Sequence, residues 1–271
     1  MENGSSGSAL LEVIGLEVVY HRAVTAVQGV SLTAEERSIT ALVGTNGAGK
    51  STTLAAIAGF MRAEDVRITE GDVLFDGASI KGRRNDQISA MGIGYVPERE
   101  KIFPTLSVLE NLTACRPRSG SDRAMSIEQV YDLFPRLAER PNTIAGYLSG
   151  GERQMLAISM ALLGGPRLLL IDEMTLGLAP IVVESLVETV TRLRDEHNVT
   201  ILVVEQNAST GIEMADYIYV MENGRIAFDG PPDRLLQHED FQEFYLGMER
   251  EGGRKHYQDV KQYRRKRRWF G

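Results

Sequence analysis

The sequence predicts an α/β fold in which helices cover a largely parallel sheet and a helical lobe is inserted between two of its strands. Short apolar runs rich in β-branched residues alternate with helical stretches, which is typical of crossover units. The length of 271 residues favours one large domain, and 43% apolar with 25% charged residues is an ordinary globular composition. That composition excludes the disordered, collagen-like and coiled-coil classes.

The strands follow from the apolar pattern. Between Leu10 and Val43, apolar residues alternate or cluster in short runs, as they do in strands. Later apolar runs predict strands at Val73–Phe75, Ile93–Val96, Leu168–Ile171 and Thr200–Val204. A tight hairpin is predicted near the end, because Asn223-Gly224 separates two strand-like runs, Tyr217–Met221 and Arg225–Phe228.

The helices are predicted from the spacing of apolar residues and from the positions of glycine and proline. A helix is expected over Lys50–Phe60, after a Gly-rich turn, and another over Val182–Leu193, just after Pro180. The second helix has one apolar face, made of Val183, Leu186, Val187, Val190 and Leu193. The pattern between Pro104 and Tyr147 is helical without a strand signal, which predicts a helical lobe over about residues 104–160.

Charge and cysteine content limit the function classes. The net charge of −7 divides into about +7 for residues 254–271 and −14 for the rest, so the body cannot offer nucleic acid a general basic face. Cys115, the only cysteine, cannot form an internal disulfide, which fits a reducing compartment and favours the cytoplasm. No apolar run approaches the ~18 to 20 residues of a membrane span. Any membrane role is therefore expected to depend on a partner.

A phosphate-binding loop follows the strand that ends near Val43. It consists of Gly44, Thr45, Asn46, Gly47, Ala48, Gly49, Lys50, Ser51 and Thr52. The glycines let backbone N–H groups surround phosphates, and the helix start adds positive potential. Lys50 is expected to neutralise the outer phosphates, and Ser51 to offer its hydroxyl to Mg²⁺. The alternative is a plain Gly-rich turn.

Two carboxylates end the apolar strand that begins at Leu168. After a phosphate-binding loop, this arrangement predicts that Asp172 holds Mg²⁺ and that Glu173 activates water. A strand that ends in acidic residues is common when it stands alone. The prediction therefore depends on the pairing of the two motifs.

The third motif carries a family resemblance. Leu148, Ser149, Gly150, Gly151 and Glu152, followed by Arg153-Gln154, resemble the signature sequence of ABC ATPases. A local role is also open, in which Ser149 caps a helix over Gln154–Leu163. The two roles are compatible, because a helix start can also bind the γ-phosphate of a nucleotide held by another subunit.

The resemblance implies a fold and further site residues. It implies an ABC-type P-loop ATPase with a mixed sheet core, an antiparallel β portion and the inserted lobe. Tyr20 lies where the family places an aromatic ring on adenine, although it could simply pack in its strand. Glu98 stands where Gln is usual and is a candidate ligand of Mg²⁺ or water, or else a solvated acid. Gln206 stands where the family has its switch histidine and cannot carry the charge of an imidazolium, so the resemblance predicts ATP binding more strongly than it predicts hydrolysis.

One subfamily is the most similar, the second ATPase subunit of branched-chain amino acid type importers. The similarity includes Leu176–Pro180, Val204–Asn207 and Tyr245–Gly247. It implies ATP and Mg²⁺ as cofactors, and uptake of branched-chain amino acids or a related small polar solute. It also implies a heterodimer with a related ATPase (a homodimer is the alternative), two permease subunits, an external solute-binding protein and a place on the cytoplasmic face of the cell membrane. A soluble ABC ATPase of translation, DNA repair or regulation is the second hypothesis.

The chain is accordingly divided into three parts. Residues 1–8 are predicted to be a flexible leader, residues 9–248 the ABC ATPase domain, and residues 249–271 a basic tail. Charge runs such as the tail are usually solvated. Because Trp269 and Phe270 follow Arg264–Arg268, contact with anionic lipid beside the permease is the alternative expectation.

Overall fold

The computed structural model describes residues 9–21, 23–61, 66–99, 101–115, 122–238 and 241–242. The predicted leader (1–8), the Tyr245–Gly247 match and the basic tail (249–271) lie outside these residues. The strands are β1 (Ala9–Tyr20), β2 (Val24–Glu35), β3 (Ile39–Gly44), β4 (Val66–Phe75), β5 (Ala78–Ser79), β6 (Ile93–Val96), β7 (Leu168–Asp172), β8 (Thr200–Glu205), β9 (Tyr217–Glu222) and β10 (Arg225–Gly230). The helices are α1 (Lys50–Ile57), α2 (Asn85–Met91), α3 (Val108–Ala114), α4 (Ile127–Leu133), α5 (Pro135–Ala138), α6 (Gly150–Leu163), α7 (Pro180–Asp195), α8 (Ala208–Met214) and α9 (Pro232–Leu236).

Two sheets form the framework. The larger has the order β10-β9-β3-β8-β7-β6 and is parallel except for β10, which pairs antiparallel with β9 through the predicted Asn223-Gly224 turn. The smaller has the order β2-β1-β4-β5 and is antiparallel. The predicted fold class, a mixed sheet core with an antiparallel β portion and helices, is confirmed.

The core lies on both faces of the larger sheet. Successive residues of a strand point to opposite faces, and β7 follows this rule, because Leu168 and Leu170 belong to one apolar cluster while Leu169 and Ile171 belong to the other. The first cluster also contains residues of the antiparallel sheet, and the second contains residues of the helices of the lobe. Burial on both faces explains why the strands of the larger sheet are continuous apolar runs.

Three helices of the lobe have well-formed N-terminal caps. The N-cap residues Ser107, Ser126 and Ser149 immediately precede α3, α4 and α6, and each forms a capping box with the residue three positions later. The helix predicted to start at Gln154 therefore starts at Gly150, because Glu152 is the partner of Ser149 in the box. Another boundary also differs, since α1 ends at Ile57 rather than Phe60, and Gly59 then adopts a left-handed φ of 65°. No helix of the described residues is long and apolar enough to span a bilayer.

Candidate functional site

The loop between β3 and α1 needs glycine at two positions. A Cβ atom at Gly44 would lie 2.3 Å from the Met221 carbonyl oxygen, and one at Gly49 would lie 2.6 Å from that of Ala26. Gly49 also has a φ of 103°, which L side chains rarely adopt, and it directly precedes the first turn of α1. The loop backbone therefore passes close to Met221 and Ala26 and leads directly into α1. The unpaired N–H groups at the start of a helix favour an anion.

Lys50 is a buried cation at the start of α1. Only 3% of the residue is exposed, and Nζ donates a hydrogen bond to the Thr45 carbonyl oxygen at 3.2 Å. Nζ also lies 3.8 Å from Oε1 of Glu173. Burial lowers the pKa of Lys50, and the negative charges of Glu173, Asp172 and Glu205 oppose that effect. The ammonium group therefore lies within a cluster of acids.

Ser51 and Asp172 meet although 121 positions separate them in the sequence. The Ser51 hydroxyl donates to Oδ1 of Asp172 at 2.9 Å, and Asp172 is 3% exposed. Burial raises the pKa of Asp172 to about 6, against the hydrogen bond from Ser51, and the charges of Glu173 and Glu98 add to the increase. A buried carboxylate beside a hydroxyl is a hard oxygen donor set of the kind that Mg²⁺ prefers.

Glu173 lies where two depressions in the surface meet. The first, about 720 Å³, is lined by Glu98 as well, and the second, about 660 Å³, is lined by Gln206. Glu173 has a left-handed φ of 48°, and its N–H donates to the Val204 carbonyl oxygen at 3.0 Å. The structure thus brings Glu98 and Glu173 to one depression, and Glu173 and Gln206 to the other. Glu98 forms an ion pair with Arg99, whose Nε lies 3.0 Å away, and Gln206 is exposed.

Tyr20 lies at the end of β1, beside the first turn of α1. Its hydroxyl lies 3.2 Å from Oγ1 of Thr52, the last residue of the predicted nucleotide-binding set. The ring is partly buried and also packs against the apolar cluster of the antiparallel sheet. Both expectations for Tyr20 therefore stay open, packing within the sheet and contact with a base.

The signature residues form the start of α6. The Ser149 hydroxyl accepts from the Glu152 N–H at 3.3 Å, and the Ser149 N–H donates to Oε2 of Glu152 at 2.8 Å. Burial alone would raise the pKa of Glu152, but the hydrogen bonds from Ser149 and the charge of Arg140 lower it overall. Gly151 faces Val182, since a Cβ atom there would lie 2.5 Å from Cγ1 of Val182. Leu148 is buried, whereas Gly150 lines the same depression as Glu98 and Glu173.

Glu205 belongs to the site, although the motifs do not single it out. It is 2% exposed at the end of β8, and its oxygens accept from the Thr175 N–H at 3.2 Å and from the Thr175 hydroxyl at 2.8 Å. Burial raises the pKa of Glu205 to about 7, against these two hydrogen bonds, and the charge of Glu173 contributes to the increase. Its signal in the sequence is an acid at the end of a strand predicted to be parallel to the strand that carries Asp172.

The raised pKa of Glu205 predicts a pH-dependent stability. Its ordinary value is 4.5 and its folded value about 7, so its carboxyl stabilises the fold fully below pH 4.5 and this contribution is lost as the pH rises through 7. Lys50 and Glu173 are the charged neighbours. The neutral variant Glu205→Gln avoids the loss. The quantity to compare is the free energy of unfolding of Glu205→Gln minus that of the parent. We expect this difference to be larger at pH 8 than at pH 4.5 by on the order of 3 kcal/mol.

Urea unfolding without nucleotide at the two pH values measures this difference. Glu184→Gln is the matched control, because it removes a charge from an exposed acid that lines the same depression. A Glu205→Gln difference that is the same at both pH values would contradict the prediction.

Comparison with known proteins fixes the family. Residues 27–176 match the profile of the family described as ABC transporter, which is more than half of the chain. The chain belongs to the ABC transporter family. It is an ATP-binding ATPase of a transporter, so the recognition made from the three motifs is confirmed. The match includes the phosphate-binding loop, the signature and the Asp172-Glu173 pair.

Individual relatives agree with the family. BraG of Pseudomonas aeruginosa, a high-affinity branched-chain amino acid transport ATP-binding protein, is 39% identical over 229 residues, covering 84% of this chain and 96% of BraG. LivF of Archaeoglobus fulgidus, a probable branched-chain amino acid transport ATP-binding protein, is 37% identical over 215 residues, covering 79% and 89%. The ADP conformation of MJ1267, an ATP-binding cassette of an ABC transporter, matches with a TM-score of 0.72 at 25% identity, covering 89% and 100%.

Proposed function

We propose that this chain is the ATP-hydrolysing subunit of an importer for branched-chain amino acids or a related small polar solute. The observation that carries the solute class is the similarity to BraG and LivF over most of their lengths. LptB of Haemophilus influenzae, a lipopolysaccharide export system ATP-binding protein, is 30% identical over 225 residues, covering 82% of this chain and 90% of LptB. Transport is the activity that the names of these relatives share, and the solute proposed here follows BraG and LivF.

The phosphate-binding loop would hold the triphosphate of ATP. Lys50 neutralises the β- and γ-phosphates, and the N–H groups from Gly44 to Thr52 surround them. Ser51 and Asp172 would hold Mg²⁺, with Glu98 as a further ligand, and the ion would offset phosphate charge. This assignment is supported by the 2.9 Å contact between Ser51 and Asp172 and by the burial of both Lys50 and Asp172. Tyr20 would stack on adenine.

Glu173 is the general base in this proposal. It accepts a proton from the attacking water, while Gln206 donates a hydrogen bond to the γ-phosphate. The position of Glu173 between the depressions lined by Glu98 and by Gln206 supports these roles. Because Gln206 is neutral, it stabilises the developing charge less than an imidazolium would.

The site is completed by another subunit. Residues Leu148–Glu152 would bind the γ-phosphate of a nucleotide in the partner ATPase, since Ser149 and the first N–H groups of the 14-residue helix α6 form an anion-binding start. We propose a heterodimer with a related ABC ATPase, joined to two permease subunits on the cytoplasmic face of the membrane and served by an external solute-binding protein. A homodimer is the alternative, and lipid contact by the basic tail stays a prediction.

Identification of the partners tests this proposal. A tagged Glu173→Gln chain, held in ATP, is purified from gently solubilised membranes, and its partners are identified by mass spectrometry. We expect two polytopic permeases and a second ATPase, and the associated binding protein would identify the solute. A purely soluble set of partners, such as ribosomal or DNA-repair proteins, would overturn the importer proposal in favour of a soluble ABC ATPase.

A further inference from the structure

The ends of β7 and β8 lie side by side and are joined by several polar contacts. The strands are parallel, and their register places Asp172 opposite Val204. Immediately after Asp172, the Glu173 N–H donates to the Val204 carbonyl oxygen at 3.0 Å. The chain segment that carries Glu173 therefore depends on the end of β8 for its position.

Glu205 adds two bonds to this connection. One carboxylate oxygen accepts from the Thr175 N–H at 3.2 Å, and the other accepts from the Thr175 hydroxyl at 2.8 Å. Met174, between Glu173 and Thr175, is 1% exposed, so the intervening link is short and packed. Glu173 is thus held on both sides, by its own N–H and by the fixed Thr175.

We infer that Glu205 is a positioning residue for ATP hydrolysis, which holds Glu173 in its catalytic place through Thr175. This inference rests on the proposed role of Glu173 as general base. The left-handed backbone of Glu173, with a φ of 48°, is unfavourable for an L side chain and persists only when neighbouring contacts determine it. The bonds from Thr175 to Glu205 supply such contacts.

A buried acid needs hydrogen-bond donors that offset the loss of its contact with water. A carboxyl group inside a protein is costly, and an apolar residue at the end of β8 would pack at a lower cost. Glu205 instead satisfies a backbone donor and a hydroxyl donor of one residue, which an apolar side chain could not do. Glu205 also directly precedes Gln206, the second proposed catalytic group, in the chain.

The test compares variants on both sides of the contact in the full-length chain within its copurifying complex. We expect Glu205→Ala, which removes both hydrogen bonds, to lower kcat for ATP hydrolysis about tenfold with the KM for ATP unchanged, since a small misplacement of a catalytic group slows the reaction. Thr175→Ala removes the hydroxyl bond and keeps the bond from the Thr175 N–H, so it should lower kcat by a smaller factor. The double variant should be no slower than Glu205→Ala alone, because both changes break one connection. Thr175→Ser, which keeps the N–H and hydroxyl donors, should restore kcat. Glu205→Gln should restore it as well, because its amide oxygen can accept from the Thr175 N–H while its NH₂ group donates to the Thr175 hydroxyl oxygen.

Two controls keep a structural effect apart from a positioning effect. Thr189→Ala removes a buried hydroxyl that donates to the Ser185 carbonyl oxygen in α7, away from Glu173, and should leave kcat unchanged. If Glu205→Ala does not fold, the comparison of Thr175→Ala with Thr175→Ser decides the question. Parent-like kcat in Thr175→Ala, or equal losses in Thr175→Ala and Thr175→Ser, would overturn the inference.

Failure of the inference can be told from failure of the proposed function. Glu173→Gln is measured in the same preparation and gives the turnover that is left without the general base. If Glu173→Gln is slow while Glu205→Ala and Thr175→Ala are as fast as the parent, only the positioning role is wrong. If Glu173→Gln is as fast as the parent, the assignment of the base itself is wrong.

Discussion

The Glu173→Gln chain is expected to hydrolyse ATP about 10²- to 10⁴-fold more slowly than the parent, the range typical of a lost general base. The amide keeps the size of the side chain but cannot accept a proton from water. ATP affinity should not fall, because the variant removes one of the negative charges that surround Lys50 and repel phosphates. The loss should therefore appear in kcat and not in binding.

Single-turnover and steady-state hydrolysis in the assembled complex measure this effect. The matched control is Glu184→Gln, an exposed acid on the same depression that has no role in the proposed chemistry. Asp172 offers an internal check, since the charge of Glu173 raises its pKa and the variant should lower it. Unimpaired hydrolysis by the Glu173→Gln complex would contradict the assignment of Glu173 as the base.

The architecture of the larger sheet was predictable because its strands are buried on both faces. Leu168–Ile171 and Thr200–Val204 are continuous apolar runs, and the structure extends each by only one residue. Helix α7 was also predictable, since its apolar residues recur at helical spacing after Pro180, which stands at its first position. These elements have local signals that agree with their place in the fold.

Other elements depend on contacts that local patterns do not contain. Strands β1 and β2 are 12 residues long and pair with several shifts of register, which short apolar runs cannot predict. Helix α6 begins with two glycines, and glycine is a poor helix former. Its true start is set by the capping box of Ser149 and Glu152, which outweighs that propensity.

The site shows the same division between local motifs and distant contacts. Lys50, Ser51, Asp172 and Glu173 belong to two motifs whose spacing is fixed along the chain, so their types and order could be recognised. The role inferred for Glu205 depends on Thr175, which lies 30 positions earlier and has no motif of its own. Only the parallel register of β7 and β8 brings these two residues together.

The Lys50→Met chain is expected to bind ATP about 10- to 150-fold more weakly than the parent, the equivalent of one lost charge-assisted hydrogen bond of ~1.5 to 3 kcal/mol. Methionine keeps most of the buried stem and removes the charge, so packing changes little. Glu173, Asp172 and Glu205 then lack their shared counter-charge, and their repulsion of the phosphates adds to the loss. The effect should therefore reach the upper part of this range.

Calorimetric titration of the full-length chain with ATP measures the affinity, and thermal unfolding verifies that each variant folds. Lys81→Met is the matched control. Lys81 is exposed, and its Nζ donates a hydrogen bond to the Gly71 carbonyl oxygen at 2.8 Å. Lys50→Ala should weaken binding at least as much as Lys50→Met, since it removes the stem as well. Parent-like affinity in a folded Lys50→Met chain would show that the loop holds ATP through its backbone N–H groups without the lysine charge.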